Sequence, residues 1–230
     1  MSTALVHTEI YKTSTIDKMP ASYKTIGETM THNPPCESAS SLRTQQRKSG
    51  LSRRDALLIE ERALFSQRAC CHFIEYLEKK GTDFSRLILA GYWPIKSEID
   101  PRPLLDAVAL RGGHLALPAV LDSTTMIFRA FSSSTILEPM RFGTFGPGAD
   151  SSVVVPNNII VPLSAFDRQC HRLGYGGGYY DRAIEALEKQ GHQMTLWGIG
   201  FSCQEVSSIP AAEHDLQVQG IFTEKGFLKC

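Results

Sequence analysis

Between Asp167 and Asp181 the chain reads Asp-Arg-Gln-Cys-His-Arg-Leu-Gly-Tyr-Gly-Gly-Gly-Tyr-Tyr-Asp. Three adjacent glycines, Gly176, Gly177 and Gly178, let the backbone turn with positive φ and carry its N–H groups close to a ligand. A helix starting near Tyr179 adds the positive partial charge of its N-terminus, so a phosphate chain is the group such a loop would hold. Arg172, at the loop's entrance, offers a planar fork to phosphate oxygens. Asp181, in the first helical turn, is within reach of a magnesium ion bridging those oxygens. A plainer reading stands beside this one. Glycine-rich turns before helices also serve as tight connections, and a first-turn acid is favoured by the helix dipole alone. The spacing matches neither the G-x-x-x-x-G-K-[ST] loop nor the dinucleotide G-x-G-x-x-G, which disfavours a standard kinase or dehydrogenase.

Other chemistries find little support. The seven histidines contain no H-x3-H and no H-E-x-x-H, so a transition-metal centre is not expected. No Ser-His-Asp arrangement or reactive-cysteine context is evident; His171 and His214 lie beside the segments of interest and are read as structural. The six cysteines (Cys36, Cys70, Cys71, Cys170, Cys203, Cys230) lack C-x-x-C spacing and are read as reduced thiols of a cytosolic protein.

The elements that must position the loop follow from periodicity. Residues 1–41, rich in Ser, Thr, Lys and Glu, show neither helical nor strand patterning and are read as a disordered tail, leaving 42–230 as one catalytic domain. Apolar residues recur at helical spacing from Asp55 to Lys79, as one long helix or two in series, with Gly81 as a stop. Short apolar runs then alternate with helical segments, the pattern of a mostly parallel sheet covered on both faces. Arg86–Trp93 is the first strand, Asp100-Pro101 opens a helix closed by Gly112-Gly113, and Leu115–Val120 is the second strand. Met126–Phe131 is an antiparallel edge candidate after a short turn. Phe142–Asp150 is turn-rich. Asn158–Phe166 is the most strand-like run, Tyr179–Gln190 is helical with Tyr180, Ile184 and Leu187 on one stripe, and Leu196–Phe201 and Gly220–Thr223 are later strands. In an open α/β sheet ligands bind outside the carboxyl ends of strands, where the glycine loop falls.

Bulk properties set limits. Lys plus Arg equals Asp plus Glu at 24 each, so no global cationic field attracts nucleic acid or an anionic membrane, and any anion site is local. No apolar run reaches the roughly 18–20 residues that cross a bilayer, and a cytoplasmic monomer is expected.

The run Arg172-Leu-Gly-Tyr-Gly-Gly-Gly-Tyr-Tyr-Asp181-Arg182 resembles the signature of the 5-formyltetrahydrofolate cyclo-ligase family. Three further blocks resemble it in the same order: Tyr92–Asp100, Val161–Asp167, and Ile209-Pro210 through Asp215 to Glu224. The resemblance implies a single three-layer α/β/α domain with an open, mostly parallel sheet, sugar-isomerase/CoA-transferase-like. It implies ATP-dependent closure of 5-formyltetrahydrofolate, with or without a polyglutamate tail, to the 5,10-methenyl form, with ATP and Mg2+ bound. Residue by residue, it implies that Arg43 and Arg47 grip phosphates. Arg172, Leu173, Gly174, Tyr175, Gly176–Gly178, Tyr179 and Tyr180 would cradle ATP, the Tyr175–Tyr179 stretch also touching folate. Trp93 and Glu98 would contact folate, and Asp181 and Asp215 would lie at the metal. Without the resemblance Arg43 and Arg47 read as solvated charges, Trp93 as core and Glu98 as a surface acid or helix-capping partner. Three positions depart from the family pattern: Arg43 where lysine is usual, Cys170 where glycine is usual, and Gly146-Pro147 where Glu-Pro is common.

Overall fold

A computed structural model describes residues 38–210 and 215–230. In chain order the elements are α1 (Ala39–Asp55), α2 (Ile59–Lys79), β1 (Ile88–Ala90), α3 (Arg102–Leu110), β2 (His114–Val120) and β3 (Met126–Phe131). There follow β4 (Leu137–Pro139), β5 (Phe145–Pro147), β6 (Asn158–Pro162), β7 (Ala165–Phe166), β8 (Arg172–Leu173), α4 (Tyr179–Lys189), β9 (Thr195–Ile199), β10 (Gly220–Thr223) and β11 (Gly226–Lys229).

Seven strands form one sheet in the order β11-β10-β9-β6-β1-β2-β3. The five inner strands are parallel; β3 and β11 pair antiparallel at the two edges. Side chains alternate across the sheet, as the period of two demands. Leu89, Leu117 and Ile160 pack with Phe73 and Leu77 of α2 and Leu104 and Val108 of α3. Ala90, Ile159 and Val161 face the other way and pack with Ala183 and Ile184 of α4. Helices thus cover both faces, the α/β architecture expected from the alternation of strands and helices.

Helix α1 belongs to neither apolar layer. Its buried residues are Gln46, Gly50 and Arg54, and it lies across the turn between β6 and β7, where a Cβ on Gly50 would stand 2.2 Å from the Ser164 carbonyl oxygen. Gln46 donates to the Ser208 carbonyl and Arg53 to those of Cys203 and Glu205.

Several expectations need correction. The helix begins at Ala39, capped by the Ser38 hydroxyl, so residues 39–41 belong to the folded domain; the rest of the proposed tail, residues 1–37, lies outside the described residues, as does His214. Helical structure precedes Asp55 because polar contacts, which hydrophobic periodicity does not register, hold α1. The Asn158–Phe166 run breaks at Leu163 into β6 and β7. The turn-rich stretch contains β5, which pairs with β4 just before it as a hairpin, and in which a Cβ added to Gly146 would stand 2.4 Å from the Pro118 carbonyl oxygen, leaving no room for a side chain. The cysteines are not all thiols: Cys170 and Cys230, 60 residues apart, form a disulfide with Cα atoms 5.6 Å apart. That separation is invisible to a search for close spacing. Cys70, Cys71 and Cys203 are free, and Cys36 lies outside the described residues.

Candidate active site

The chain leaves β1 toward α3 and β2 on one side, whereas β6 lies on the other side of β1. Loops leaving the carboxyl ends of β1 and β6 therefore diverge and open a crevice at the point where strand order reverses. A cavity of about 830 Å³ occupies that crevice, lined by the loop after β1, the ends of β2 and β6, the glycine loop and the inner face of α1.

Buried carboxylate chemistry shapes the glycine loop. Asp167, wholly buried, accepts the backbone N–H groups of Gln169 and His171 on Oδ1, and that of Ile209 on Oδ2, beside the His171 ring 3.0 Å away. This acid fastens the β7–β8 hairpin to the C-terminal segment and holds the His171 ring beside it. Cys170 sits at the hairpin's tip with φ 63°, a left-handed conformation that favours glycine. Beyond β8, Gly176 (φ 94°) and Gly178 (φ 66°) take positive φ and Gly177 does not, so two of the three glycines make the turn. Gly178 is the N-cap of α4 and brings no side-chain hydrogen bond, which leaves the first N–H groups of the helix for a ligand.

At this end of the cavity four charged groups pair off. Arg172, 6% exposed, donates from Nη2 to Asp181 Oδ1 at 2.9 Å, and its buried Nε has no partner. Burial pushes the Arg172 guanidinium below its ordinary range, against the pull of Asp181. Gly174 leaves space for this guanidinium, whose Nη1 would be 3.3 Å from an added Cβ. Arg43 grips Asp215 with both Nη atoms, at 2.5 and 2.7 Å, and donates to the Pro210 carbonyl at 2.8 Å; the Asp215 hydrogen bond raises it. Arg47 donates from Nε to the Gly174 carbonyl at 2.7 Å, and burial followed by repulsion from Arg43 lowers it. Among the described residues it has no carboxylate within salt-bridge distance.

The other end is aromatic and apolar. Trp93 stands edge-on to Phe131, with the Arg102 guanidinium 5.0 Å from its ring centroid. Tyr179 meets Phe142 edge-on and carries Arg182 at 5.1 Å. Tyr180 packs against Phe128, its hydroxyl buried without a partner. Glu98 accepts the Ile95 N–H at 2.8 Å; burial raises its carboxyl, opposed by that bond, by Arg54 and by the Tyr175 hydroxyl.

All the residues expected at the site line this cavity except Leu173, whose side chain is 0% exposed in a small cluster with Ala165 and Ile209. Its place in the signature is to pack the strand. Tyr92, Lys96, Pro118 and Met126 also line the cavity and were not singled out in the sequence. Tyr92 and Lys96 flank Trp93 in a block already matched, so strand-end position was the available signal.

The residues matching the model of the 5-formyltetrahydrofolate cyclo-ligase family run from 38 to 224. The chain belongs to this family. It is 27% identical over 177 residues to the 5-formyltetrahydrofolate cyclo-ligase of Escherichia coli (strain K12), covering 74% of this chain and 94% of that one. With the enzyme of the same name from Haemophilus influenzae it shares 28% over 134 residues, covering 56% and 71%. Among solved structures, the 5,10-methenyltetrahydrofolate synthetase of Aquifex aeolicus superposes with a TM-score of 0.66 at 30% identity, over 82% of this chain and 92% of that one. A synthetase from Mycoplasma pneumoniae gives 0.62 at 23%, over 79% and 98%, and so supports the fold.

Magnesium fits the residues present. Mg2+ is held by one or two carboxylates together with substrate phosphates and water rather than by an all-protein cage. Among the described residues no three His, Cys, Asp or Glu side chains gather as such a cage, while Asp181 and Asp215 both face the cavity beside the arginines.

Proposed function

We propose that this cavity is where the cyclo-ligase closes 5-formyltetrahydrofolate to 5,10-methenyltetrahydrofolate with ATP, the triphosphate lying along the glycine loop and the pterin against Trp93 and Glu98. The observation that carries the reading is the juxtaposition, in one cavity, of three arginines and an uncapped helix N-terminus with an aromatic wall holding a half-buried acid. A formyl oxygen on nitrogen leaves poorly, so it first takes the γ-phosphoryl group while ADP departs. N10 then adds to the activated carbon and loses its proton, and inorganic phosphate carries the oxygen away.

No covalent nucleophile is required of the protein. Loop N–H groups, Arg43, Arg47 and Arg172 align the triphosphate and neutralise charge that develops on the transferring group. Alignment of two substrates contributes about 7–11 kcal/mol, against roughly 3–4 for one well-placed donor, which accounts for a site built from a rigid loop. Asp181 and Asp215 would hold Mg2+, which would withdraw charge from the phosphates. Nucleotide then takes over arginine donors that Asp181 and Asp215 occupy in its absence. Glu98 accepts from the N–H edge of the pterin.

A cytoplasmic monomer acting on folates with or without polyglutamate tails belongs to the same proposal. Among the described residues no helix is long and apolar enough to cross a membrane. Mixing the protein with 5-formyltetrahydrofolate and Mg-ATP should give stoichiometric methenyl product, read by its absorbance, and ADP. Product formation independent of ATP, or none at all, would overturn the reading.

A further inference from the structure

Arg54 lies on α1 beyond the two arginines that face the phosphate end, yet its side chain goes elsewhere. It is 1% exposed; Nε donates to Ser97 Oγ at 2.9 Å, Ser97 donates to Asp55, and Nη1 has no hydrogen-bond partner. The nearest carboxylate in an ion pair, on the mostly exposed Asp55, is 3.9 Å from Nε. A buried guanidinium with an unmet donor is a poor way to fill space, since an apolar side chain of similar volume is commonly neutral or stabilising there. Its surroundings indicate another use. The guanidinium carbon is 5.7 Å from the Tyr175 ring centroid, Tyr175 and Glu98 line the same cavity, and the charges of both Arg54 and Glu98 act on the Tyr175 hydroxyl. Tyr175 belongs to the glycine loop, at the nucleotide end; Glu98 belongs to the loop after β1, at the folate end.

We propose that Arg54 is a positioning residue that holds Tyr175 against Glu98, so that the acid facing folate and the loop facing phosphate are set in one arrangement and each substrate's affinity depends on the other. This rests on the assignment of the two ends made above. Reciprocity follows from linkage: if bound nucleotide tightens folate, folate tightens nucleotide by the same factor. Arg54 also keeps Glu98 an acceptor. The groups facing that carboxylate are Arg54 from α1, Lys96 from its own loop, Tyr175 from the glycine loop, and Tyr92 and Tyr180 from β1's end and α4. Of these only Arg54 and Lys96 are cations, and Lys96 is exposed.

Calorimetric binding of 5-formyltetrahydrofolate, across pH and with and without a non-hydrolysable ATP analogue, tests this independently of turnover. In Arg54→Met the folate Kd should rise roughly 10- to 100-fold, as expected for loss of a charge-supported hydrogen bond. The acid limb of binding should move to higher pH because Glu98 is then protonated more readily. Arg54→Lys should restore the limb but only part of the affinity, having charge without the fork. Tyr175→Phe, which removes only the hydroxyl, should weaken the binding of each substrate and abolish the factor by which one tightens the other. A folded Arg54→Met with wild-type Kd and pH limb would overturn the proposal; should that variant not fold, wild-type coupling in Tyr175→Phe would do so. Wild-type protein that binds no folate at any pH would instead sink the assignment of the folate end.

Discussion

Asp181 does two things, and a substitution there separates them. As a first-turn acid it would contribute only about 0.3–1 kcal/mol through the helix dipole. It also partners the buried Arg172, and stripping a buried charge of its partner costs about 3–5 kcal/mol. Because Asp181 is 39% exposed, water can screen part of that loss, and Asp181→Ala should destabilise by about 1–3 kcal/mol. Turnover should fall by more than about 100-fold, the loss seen when one transition-state donor or its support is removed. Thermal melts beside the ATP-dependent assay check both; an activity loss no larger than the fraction unfolded would remove Asp181 from the site. Glu98 runs the opposite way. Its folded carboxyl is raised, chiefly by burial, so the folded state holds the proton more tightly than the unfolded chain does. That contribution favours folding below the ordinary glutamate range and is lost as pH rises through the raised value. Glu98→Gln should therefore melt above wild type at neutral pH, the gap closing on acidification, while folate binding is lost. A melting difference that widened toward acid would contradict the sign. The signature displayed the chemistry of Arg172 and Asp181 in the sequence, but their mutual pairing required two residues nine apart to be folded together across the turn.

Among the elements, α1 was the least legible. Its buried face is Gln46, Gly50 and Arg54, polar or absent side chains at helical spacing, so no apolar stripe marks it. Arg43 and Arg47 read as solvated charges because their partners, Asp215 and the carbonyls of Pro210 and Gly174, lie more than a hundred residues away. By contrast α4 could be read directly, since Ile184 and Ala183 carry an apolar stripe into the core and a glycine turn announces its start. The close approach at Gly50 makes α1 testable as a unit. An added Cβ would stand 2.2 Å from a backbone oxygen that cannot swing aside, so Gly50→Ala should lift the helix and cost about 1–3 kcal/mol. ATP affinity should fall with stability, because Arg43 and Arg47 move with α1. An alanine variant binding ATP as wild type does would show that the arginines reach the phosphates independently of the helix's seat.

At the scale of the whole molecule, the sheet decides where the site is and the disulfide decides how its far edge is tied. Parallel inner strands followed from the sequence pattern; the reversal of order between β1 and β6 did not, because strand order is set by tertiary packing, and neither did β11, as four residues after a turn give too short a run to distinguish from a loop. That edge strand ends beside Cys230, whose bond to Cys170 joins it to the hairpin preceding the signature. A crosslink over 60 residues restricts the unfolded chain by about 4 kcal/mol on the loop-entropy model, and Cys230→Ser in oxidised protein should lose up to that amount. Asp167 pins the same hairpin through three backbone N–H groups, so ATP-dependent turnover should stay within about twofold, a change well under 1 kcal/mol. Cys170→Gly breaks the same bond but relieves a left-handed non-glycine residue, worth about 1–2 kcal/mol. The glycine variant should accordingly be the more stable of the two by roughly that difference, less the extra chain entropy glycine brings to the unfolded state. Denaturant titrations of both variants beside reduced wild type measure it. Equal losses would mean that the hairpin tip carries no strain for glycine to relieve.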